Sequence, residues 1–313
     1  MSAVLLRRLL VVPVVLLLAS VLIFLLPRMA GVDTARAVLR SRLGEAEPDP
    51  AVLAAIRQEF GLDASLTEQY WRWLSHVVHG DLGNSFVTRT SVSGLLFPAL
   101  GVSLVLTAGA LALAALAGIP AGVWSARRPG GRLDRAVTAT SVLGVATPEF
   151  VLGTVLVLVF AVALPLLPAT GWGSLAEAVL PVLTLAAFPA ALAAQLTRAE
   201  TVDALARPHV MVARSKGLRE RAVLWRHGGR LALTSVTSLS GLFFGGLLGG
   251  AVVVEVVFAV PGLGGLLYDS VVGQDLPVVQ SGLLVVVAVA ALAAIVAEGV
   301  QLALDPVSRS AAL

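Results

Sequence analysis

Long apolar runs with few or no charged residues recur along the chain. The first, at residues 9–27, carries no charge, and Glu149, Glu255 and Glu298 are the acids inside the later ones. The later runs lie at 99–124, 136–165, 178–197, 231–258 and 276–301. Because a helix needs about 20 mainly apolar residues to cross a bilayer, the pattern predicts six transmembrane helices.

Basic residues precede the first run, as they do in a secretory signal peptide. They are Arg7 and Arg8. However, the run is long for the apolar part of such a peptide, and no small-residue cleavage site follows it at residues 27–29. An uncleaved first helix is therefore the favoured interpretation.

The composition agrees with a surface that faces lipid. Of the 313 residues, 58% are apolar and 13% are charged, and the mean hydropathy is +0.93. Soluble domains carry about a quarter of charged residues, so this chain cannot cover a globular surface with polar groups. The pI of about 10.1 would indicate nucleic acid in a soluble protein. Here the basic residues follow the pattern of the spans instead, and no nucleic-acid partner is expected.

The connections between the runs differ in their content of arginine and lysine. The second connection carries four arginines, and the fourth, 198–230, carries seven arginines and Lys216. The third (166–177) and the fifth (259–275) carry none. By the positive-inside rule, this alternation predicts that both termini are cytoplasmic. The long first connection, 28–98, has seven arginines and eight acids, and a segment of that length crosses largely regardless of charge.

The first connection is also the only sizeable polar portion of the chain. Its residues 50–79 show helix-like apolar spacing, which 61–63 interrupts, and 80–85 are typical of a turn. The domain prediction is therefore a first transmembrane helix plus an extracytoplasmic cap segment at 1–98. A five-helix core at 99–313 follows and contains the cytoplasmic connection.

Few residues offer chemistry. The sequence has no cysteine, four histidines and no G-x-x-x-x-G-K-[ST] phosphate loop. His76 and His79 stand at an i, i+3 spacing that could hold a metal, but a solvated helix face is the favoured interpretation. We expect no catalytic residue, no metal and no cofactor bound by this chain.

Four residues are candidates for a translocation pathway. Glu149 and Glu255 lie in apolar runs, where burying an ionisable group is costly and a functional role is the first hypothesis. Gly245 and Gly249 belong to a stripe of glycines spaced by four, which begins at Gly241 and permits close helix approach. The stripe predicts either a subunit or pathway interface or packing within the chain.

The fourth connection is long for a link between spans. Pro208 suits the start of a short helix, and Gly217 suits its end. A basic helix at a membrane surface can bind anionic headgroups or dock a cytoplasmic partner, and the pattern by itself leaves both open.

The fourth connection contains the stretch Ala213-Arg214-Ser215-Lys216-Gly217-Leu218, with Arg226-His227 after it. This stretch resembles the coupling loop of ABC importer permeases of the dipeptide/oligopeptide/nickel family, first-subunit type. Further matching stretches lie at 61–63, 69–70, 73–74, 80–86, 167–171, 250–264, 275–280 and 305–306. The chain departs from the family pattern at His209, Leu231, Ser235 and residues 30–33.

The resemblance implies an all-α integral membrane protein with the type I ABC importer permease fold. Such a permease sits in the bacterial inner membrane and forms the pathway with a second, homologous permease. Two ABC ATPase subunits or domains hydrolyse ATP, and an extracytoplasmic binding protein delivers the substrate, here expected to be di- or oligopeptides. The residues that would contact the ATPase are Arg207, Pro208, His209, Val210, Ala213, Arg214, Ser215, Lys216, Gly217 and Leu218.

Two other classes of function compete with this one. A stand-alone secondary transporter or channel would typically show paired ionisable groups at the midplane and inverted repeats, and neither is visible in the sequence. A membrane-bound enzyme would need a nucleophile or a metal cluster near an interface. Nickel chelates, glutathione and opines are alternative substrates that relatives in the family carry.

Overall fold

The computed structural model describes residues 2–31, 33–43 and 50–304, and these are almost entirely helical. The α-helices are α1 (Ser2–Met29), α2 (Thr34–Leu43), α3 (Pro50–Glu59), α4 (Leu66–Val78), α5 (Val92–Ser125), α6 (Arg132–Ala146), α7 (Glu149–Leu156), α8 (Leu175–Leu205), α9 (Pro208–Ser215), α10 (Glu220–Val223), α11 (Arg230–Gly250), α12 (Val252–Val257), α13 (Leu263–Val272) and α14 (Leu276–Leu304). Segments of π-helix follow α7 and α10, at Val157–Ala163 and Leu224–Gly229. The matching stretch 305–306 lies outside the described residues, as do the side chains of Arg7, Arg8, His227 and Leu231.

The helices confirm an all-helical, multi-span architecture. Those long and apolar enough to cross a membrane are Leu10–Met29, Val92–Ser125, Leu175–Leu205, Leu233–Gly250 and Leu276–Ala303. The residues that the structure describes thus contain five spans, or six if Arg132–Ala146 and Glu149–Ala163 together count as one. Many apolar side chains on these helices are exposed, as lipid contact requires.

The third predicted span, 136–165, is broken near its middle. Its two helices are bent by 108° at Thr147 and Pro148, both of which have extended backbone angles. Proline has no backbone N–H and disfavours the helical conformation in the residue before it, so the break falls where these two effects coincide. The fifth predicted span, 231–258, is likewise divided, because α11 ends at Gly250 and a short helix follows.

Contacts along the chain define two compact units. One comprises Met1–Leu6, Leu104–Val260 and Ala290–Leu313, and the other comprises Arg7–Ser103 and Pro261–Val289. These units are defined by contacts in space, whereas the boundary between residues 98 and 99 was drawn from the sequence pattern. That boundary therefore stays a prediction.

In the larger unit, α8 contacts α6, α7, α11, α12 and the π-helical segment at Leu224–Gly229. A Cβ added to Gly122 of α5 would lie 2.6 Å from the carbonyl oxygen of Ala194, so the two backbones approach closely. One ion pair fastens α6 to α8: the buried Asp134 carboxylate accepts from the Arg198 guanidinium (Nη2–Oδ2 2.9 Å) and from the N–H of Gly130 (2.8 Å). Buried pairs of this kind are costly to break, because the remaining partner stays uncompensated.

In the smaller unit, α2 and α3 share a small apolar core and α4 packs on α1. The core contains Ala35, Val38, Leu39 and Ile56. The α1–α4 contact combines a hydrogen bond between the hydroxyls of Ser20 and Tyr70 (2.9 Å) with stacking of Phe24 against Tyr70 and Trp73. The helix α4 thus folds back onto the C-terminal half of α1 rather than extending from it.

One buried carboxylate joins two distant parts of this unit. Asp275, which immediately precedes α14, accepts hydrogen bonds from the hydroxyl of Ser85 and from the N–H of Phe86 (3.0 Å). The Ser85 hydroxyl in turn accepts from the N–H of Thr88 (2.9 Å), which closes a turn just before α5. Asp275 therefore determines where the turn lies relative to the start of α14.

We expect Asp275→Asn to lower the free energy of unfolding by about 2 kcal/mol, because hydrogen bonds to a buried charged group contribute about that much. Thermal unfolding of the purified protein in detergent measures the effect. Asp269→Asn, a change of the same chemistry at an exposed position of α13, is the matched control. Ser85→Ala combined with Asp275→Asn should cost less than the sum of the two single changes. Equal effects of Asp275→Asn and Asp269→Asn would contradict this assignment.

Candidate coupling segment and pathway residues

The short helix α9 begins where the sequence predicts. Arg207 is its N-cap with extended backbone angles, and Pro208 occupies the first helical position. Proline suits that position because its fixed φ is helical and its missing N–H would have no partner within the helix.

The C-terminus of α9 is closed by a Schellman motif. Gly217 follows the C-cap residue Lys216 with φ +78°, a left-handed conformation that favours glycine. The N–H of Leu218 donates to the carbonyl of Ala213 (3.3 Å), and the N–H of Gly217 donates to that of Arg214 (2.9 Å). These are the two hydrogen bonds that define the motif. Gly217 is thus a cap of defined geometry in this structure.

The two faces of α9 differ in burial. Val210 and Ala213 are buried and anchor the helix, whereas Met211 and Val212 are 73% and 52% exposed. The other residues that the resemblance assigns to the coupling segment are exposed, except Leu218, which is half-buried. The exposed ones are Arg207, Pro208, His209, Arg214, Ser215, Lys216 and Gly217. The helix is thus anchored by one face and presents the apolar side chains of Met211 and Val212 on the other.

Arg214 is engaged within the chain. Its guanidinium donates from Nε to Glu220 Oε1 (2.9 Å) and from Nη2 to Oε2 (3.4 Å), which ties α9 to α10. Both side chains are almost half exposed, so water and salt weaken the pair.

The connection is also fixed to α8. The hydroxyl of Ser235 on α11 donates to Glu200 on α8 (3.1 Å). Gly228, in the π-helical segment after α10, lies so close to α8 that an added Cβ would meet the Thr201 methyl group at 2.7 Å. The second end of the connection is thus held against α8, the helix in which its first end lies.

The candidate pathway residues lie in several places. Glu149 opens α7 and is half-buried, while Glu255 on α12 is only 1% exposed and has an interaction partner. Gly153 on α7 packs against Phe258, directly after α12, so these two helices are neighbours. A Cβ on Gly245 would lie 3.0 Å from the Cβ of Ala290 on α14, whereas one on Gly249 would meet nothing within 4 Å. Packing within the chain therefore accounts for Gly245 and leaves Gly249 open.

The two spaced histidines bind different partners. His76 Nδ1 lies 3.0 Å from Asp81 Oδ2, and His79 Nδ1 lies 2.7 Å from the carbonyl oxygen of Ser75. The N–H of Gly83 and the ring of His76 hold the pKa of the Asp81 carboxyl below its usual value. Among the described residues, no three histidine, cysteine, aspartate or glutamate side chains are grouped as metal ligands.

Reasoning from the sequence did not single out Asp275 or Gln280. The signal that could have found them is the matching stretch 275–280, which was noted for its resemblance and not for any contact. The structure places both residues in the smaller unit, together with the stretch 80–86.

These features define a multi-pass α-helical membrane protein in which a short, basic, anchored helix interrupts the membrane-spanning series. The family model "Binding-protein-dependent transport system inner membrane component" matches residues 118–310, and the corresponding N-terminal model matches residues 1–108. The chain belongs to this family, the permeases of ABC importers, which confirms the resemblance noted in the sequence.

Curated relatives share much of the length of the chain. The glutathione transport system permease protein GsiC of Escherichia coli O6:H1 is 41% identical over 282 residues, which cover 89% of each chain. The GsiC protein of Salmonella paratyphi A is 40% identical over 283 residues, 89% of this chain and 90% of its own. The GsiC protein of Escherichia coli strain K12 is 40% identical over 282 residues, 89% of each chain. The chain is thus a multi-pass permease subunit of the inner membrane.

We expect Gly217→Ala to loosen the end of α9 without a steric clash. An added Cβ meets nothing within 4 Å, so the cost is the left-handed backbone, about 1–2 kcal/mol. Hydrogen–deuterium exchange at residues 213–218 should become about 5- to 30-fold faster. Gly246→Ala, at a helical glycine that also faces open space, is the control and should leave exchange in α9 unchanged. Unchanged exchange in Gly217→Ala would show that the cap does not hold the helix end.

Proposed function

We propose that this chain is one of two permease subunits of an ATP-driven importer for short peptides of the size and chemistry of glutathione. The observation that carries the proposal is the match to relatives named glutathione transport permeases, at about two-fifths identity over nine-tenths of the chain. Glutathione is a tripeptide, so the relatives' printed substrate falls within the di- and oligopeptide class expected from the sequence. In this arrangement both termini are cytoplasmic, and the cap segment faces the side from which substrate arrives.

The coupling step is assigned to residues 207–218. Met211 and Val212 are exposed apolar side chains on a cytoplasmic connection, where a partner protein would remove them from water. The exposed cations Arg207 and Lys216 flank them and suit an acidic rim on an ATPase subunit. Because Arg214 already pairs with Glu220, its role is to brace the segment rather than to supply a free charge.

Movement would pass from the ATPase to the spans through α8. The helix α9 follows α8 closely in the chain, and the contacts of Thr201 with Gly228 and of Glu200 with Ser235 hold the far end of the connection against α8. A force on α9 would therefore be transmitted to a 31-residue helix. Closure of the ATPase dimer on ATP would thus tilt α8 and shift the permease between inward- and outward-facing states. ATP is bound and hydrolysed by the partner subunits, and this chain contributes no catalytic residue.

The pathway is proposed to run past the break between α6 and α7. Glu149 begins α7 at that break and has no partner among the described residues, as suits a carboxylate in contact with water. Glu255 and Gly249 are proposed to lie along the same pathway, with Gly249 at a surface open to a second permease, whereas Gly245 packs against Ala290 within the chain.

Replacement of Val212 by glutamate should separate the permease from its ATPase partner. A negative charge in an apolar contact that carries much of the binding energy costs about 2 kcal/mol or more, so the recovered ATPase should fall more than tenfold. Co-purification of the tagged complex in mild detergent measures this. Leu133→Glu, at an apolar residue that is equally 52% exposed in the other basic connection, is the control. Equal recovery with both variants would place the docking surface elsewhere.

Uptake of labelled glutathione tests the function itself. The complex of both permeases and the ATPases, reconstituted in vesicles with its binding protein, should take up glutathione when ATP is hydrolysed and stop with a non-hydrolysable analogue. Dissipation of ion gradients by ionophores should leave this uptake unchanged. If the chain alone instead transported glutathione under an ion gradient without ATP, it would be a secondary transporter.

A further inference from the structure

The smaller unit contains a cavity of about 620 Å³. Its walls come from the end of α1, from α4, from the turn 83–89 and from the first turns of α14. The volume lies within the range of roughly 300–1,000 Å³ that small-molecule sites occupy. The aromatic rings of Phe60, Trp73 and Phe86 supply apolar surface, and arginines supply positive charge.

Gln280 lies in the lining of this cavity. Its side chain is only 8% exposed, yet among the described residues it makes no hydrogen bond to the protein. An amide at this depth that has no protein partner depends on water or on a bound ligand for its hydrogen bonds. The amide offers two donors and one acceptor to whatever fills the cavity.

Arg28 presents a guanidinium on another wall. It donates from Nη1 to the carbonyl of Phe24 (2.7 Å) and from Nη2 to Gln69 Oε1 (2.8 Å), and it stacks over the Phe24 ring. Within the described ranges no carboxylate pairs with it. These contacts hold the group in place and leave its charge uncompensated.

Arg89 provides a second free cation. Its backbone has φ +60°, a conformation that costs energy in any residue other than glycine, and the turn held by Asp275 imposes it. Among the described residues its side chain has no partner, and it reaches the cavity. The cavity therefore combines two guanidinium groups that have no carboxylate partner, an unpaired amide and aromatic surface, and the carboxylates of Glu59 and Asp81 also line it.

We propose that this cavity is a binding site for a short peptide with free carboxylates, such as glutathione. The guanidinium groups of Arg28 and Arg89 would bind carboxylates, and the amide of Gln280 would hydrogen-bond a peptide group. The proposal rests on the proposed function for the identity of the cargo and for the side of the membrane that the cavity faces. It adds a site within a single permease chain, at the cap segment.

The competing occupant is an acidic side chain of the delivering binding protein. One such side chain would satisfy Arg89 at the exposed turn, but it would leave most of the 620 Å³ and the buried Gln280 amide unfilled. A tripeptide has the length to contact the rim and the buried amide together. The volume and the depth of Gln280 therefore favour the peptide.

The test is calorimetric titration of glutathione into the purified permease–ATPase complex without its binding protein. Gln280→Leu and Arg89→Gln should each weaken binding about tenfold, since each removes a charged or buried hydrogen bond to the ligand. Because neither side chain has a protein partner, the thermal stability of both variants should match the unaltered complex. The controls are Gln301→Leu, at the other glutamine of α14, and Arg36→Gln, at an exposed arginine of the cap segment outside the cavity. Glutathione diamide lacks both carboxylates, so it should bind the unaltered complex more weakly than glutathione does. It should bind the unaltered complex and the Arg89→Gln variant with equal affinity.

Each of the following results would refute the peptide site, and each points to a different alternative. If the unaltered complex shows no binding at millimolar glutathione, or if the two variants bind like their controls, the cavity is not a peptide site. ATP-dependent uptake in vesicles would then show whether the proposed function still stands. If the variants instead weaken only the binding of the binding protein, the cavity receives that partner's side chain.

Discussion

The carboxylate of Asp275 links two stretches of chain that lie 190 residues apart, and the geometry of the smaller unit depends on it. It accepts from the hydroxyl of Ser85, and that hydroxyl holds the N–H of Thr88, so one buried charge organises a whole turn. The next helix, α5, begins at Val92, whose N–H donates to Gly83 (3.0 Å), while α14 begins directly after Asp275. Two long apolar helices therefore begin from one polar cluster. A charged cluster of this kind favours one register, because a shift by a single residue would bury the carboxylate without donors.

Local patterns in the sequence predict much of this fold. The spans follow from the length of the apolar runs, and the bounds of α9 follow from Pro208 and Gly217, since proline and glycine act on their own backbone. The position of the break at Pro148 follows from proline in the same way. Its angle of 108° does not follow from the sequence, because it depends on the helices that α6 and α7 pack against. The contact between Asp275 and Ser85 also cannot be predicted locally, since no residue near either one indicates that the two side chains meet.

For the candidate sites, too, the sequence predicts some features and leaves others to the fold. The exposed apolar face of α9 could not be predicted from the sequence, because Val210 and Val212 are alike there and only the fold buries one and exposes the other. The engagement of Arg214 with Glu220 was likewise hidden, because nothing in the sequence indicates that these two side chains meet. For the glycine stripe, the sequence did not decide between packing within the chain and an interface. In the structure, Gly245 faces Ala290 of the same chain, whereas Gly249 faces open space. Such distinctions arise from tertiary contacts that a single sequence does not encode in any short segment.

The polarity of the cavity also bears on how strongly a peptide could bind there. When no ligand is present, water can reach the Gln280 amide and the two guanidinium groups, so a peptide must replace those hydrogen bonds before it gains any affinity. Net gains per hydrogen bond are therefore small, and the rings of Trp73, Phe60 and Phe86 would contribute much of the rest by excluding water. A site of this composition binds with modest affinity and releases its ligand readily. Modest affinity suits a transient binding site in transport, because a site that bound the peptide tightly would slow its release to the rest of the pathway.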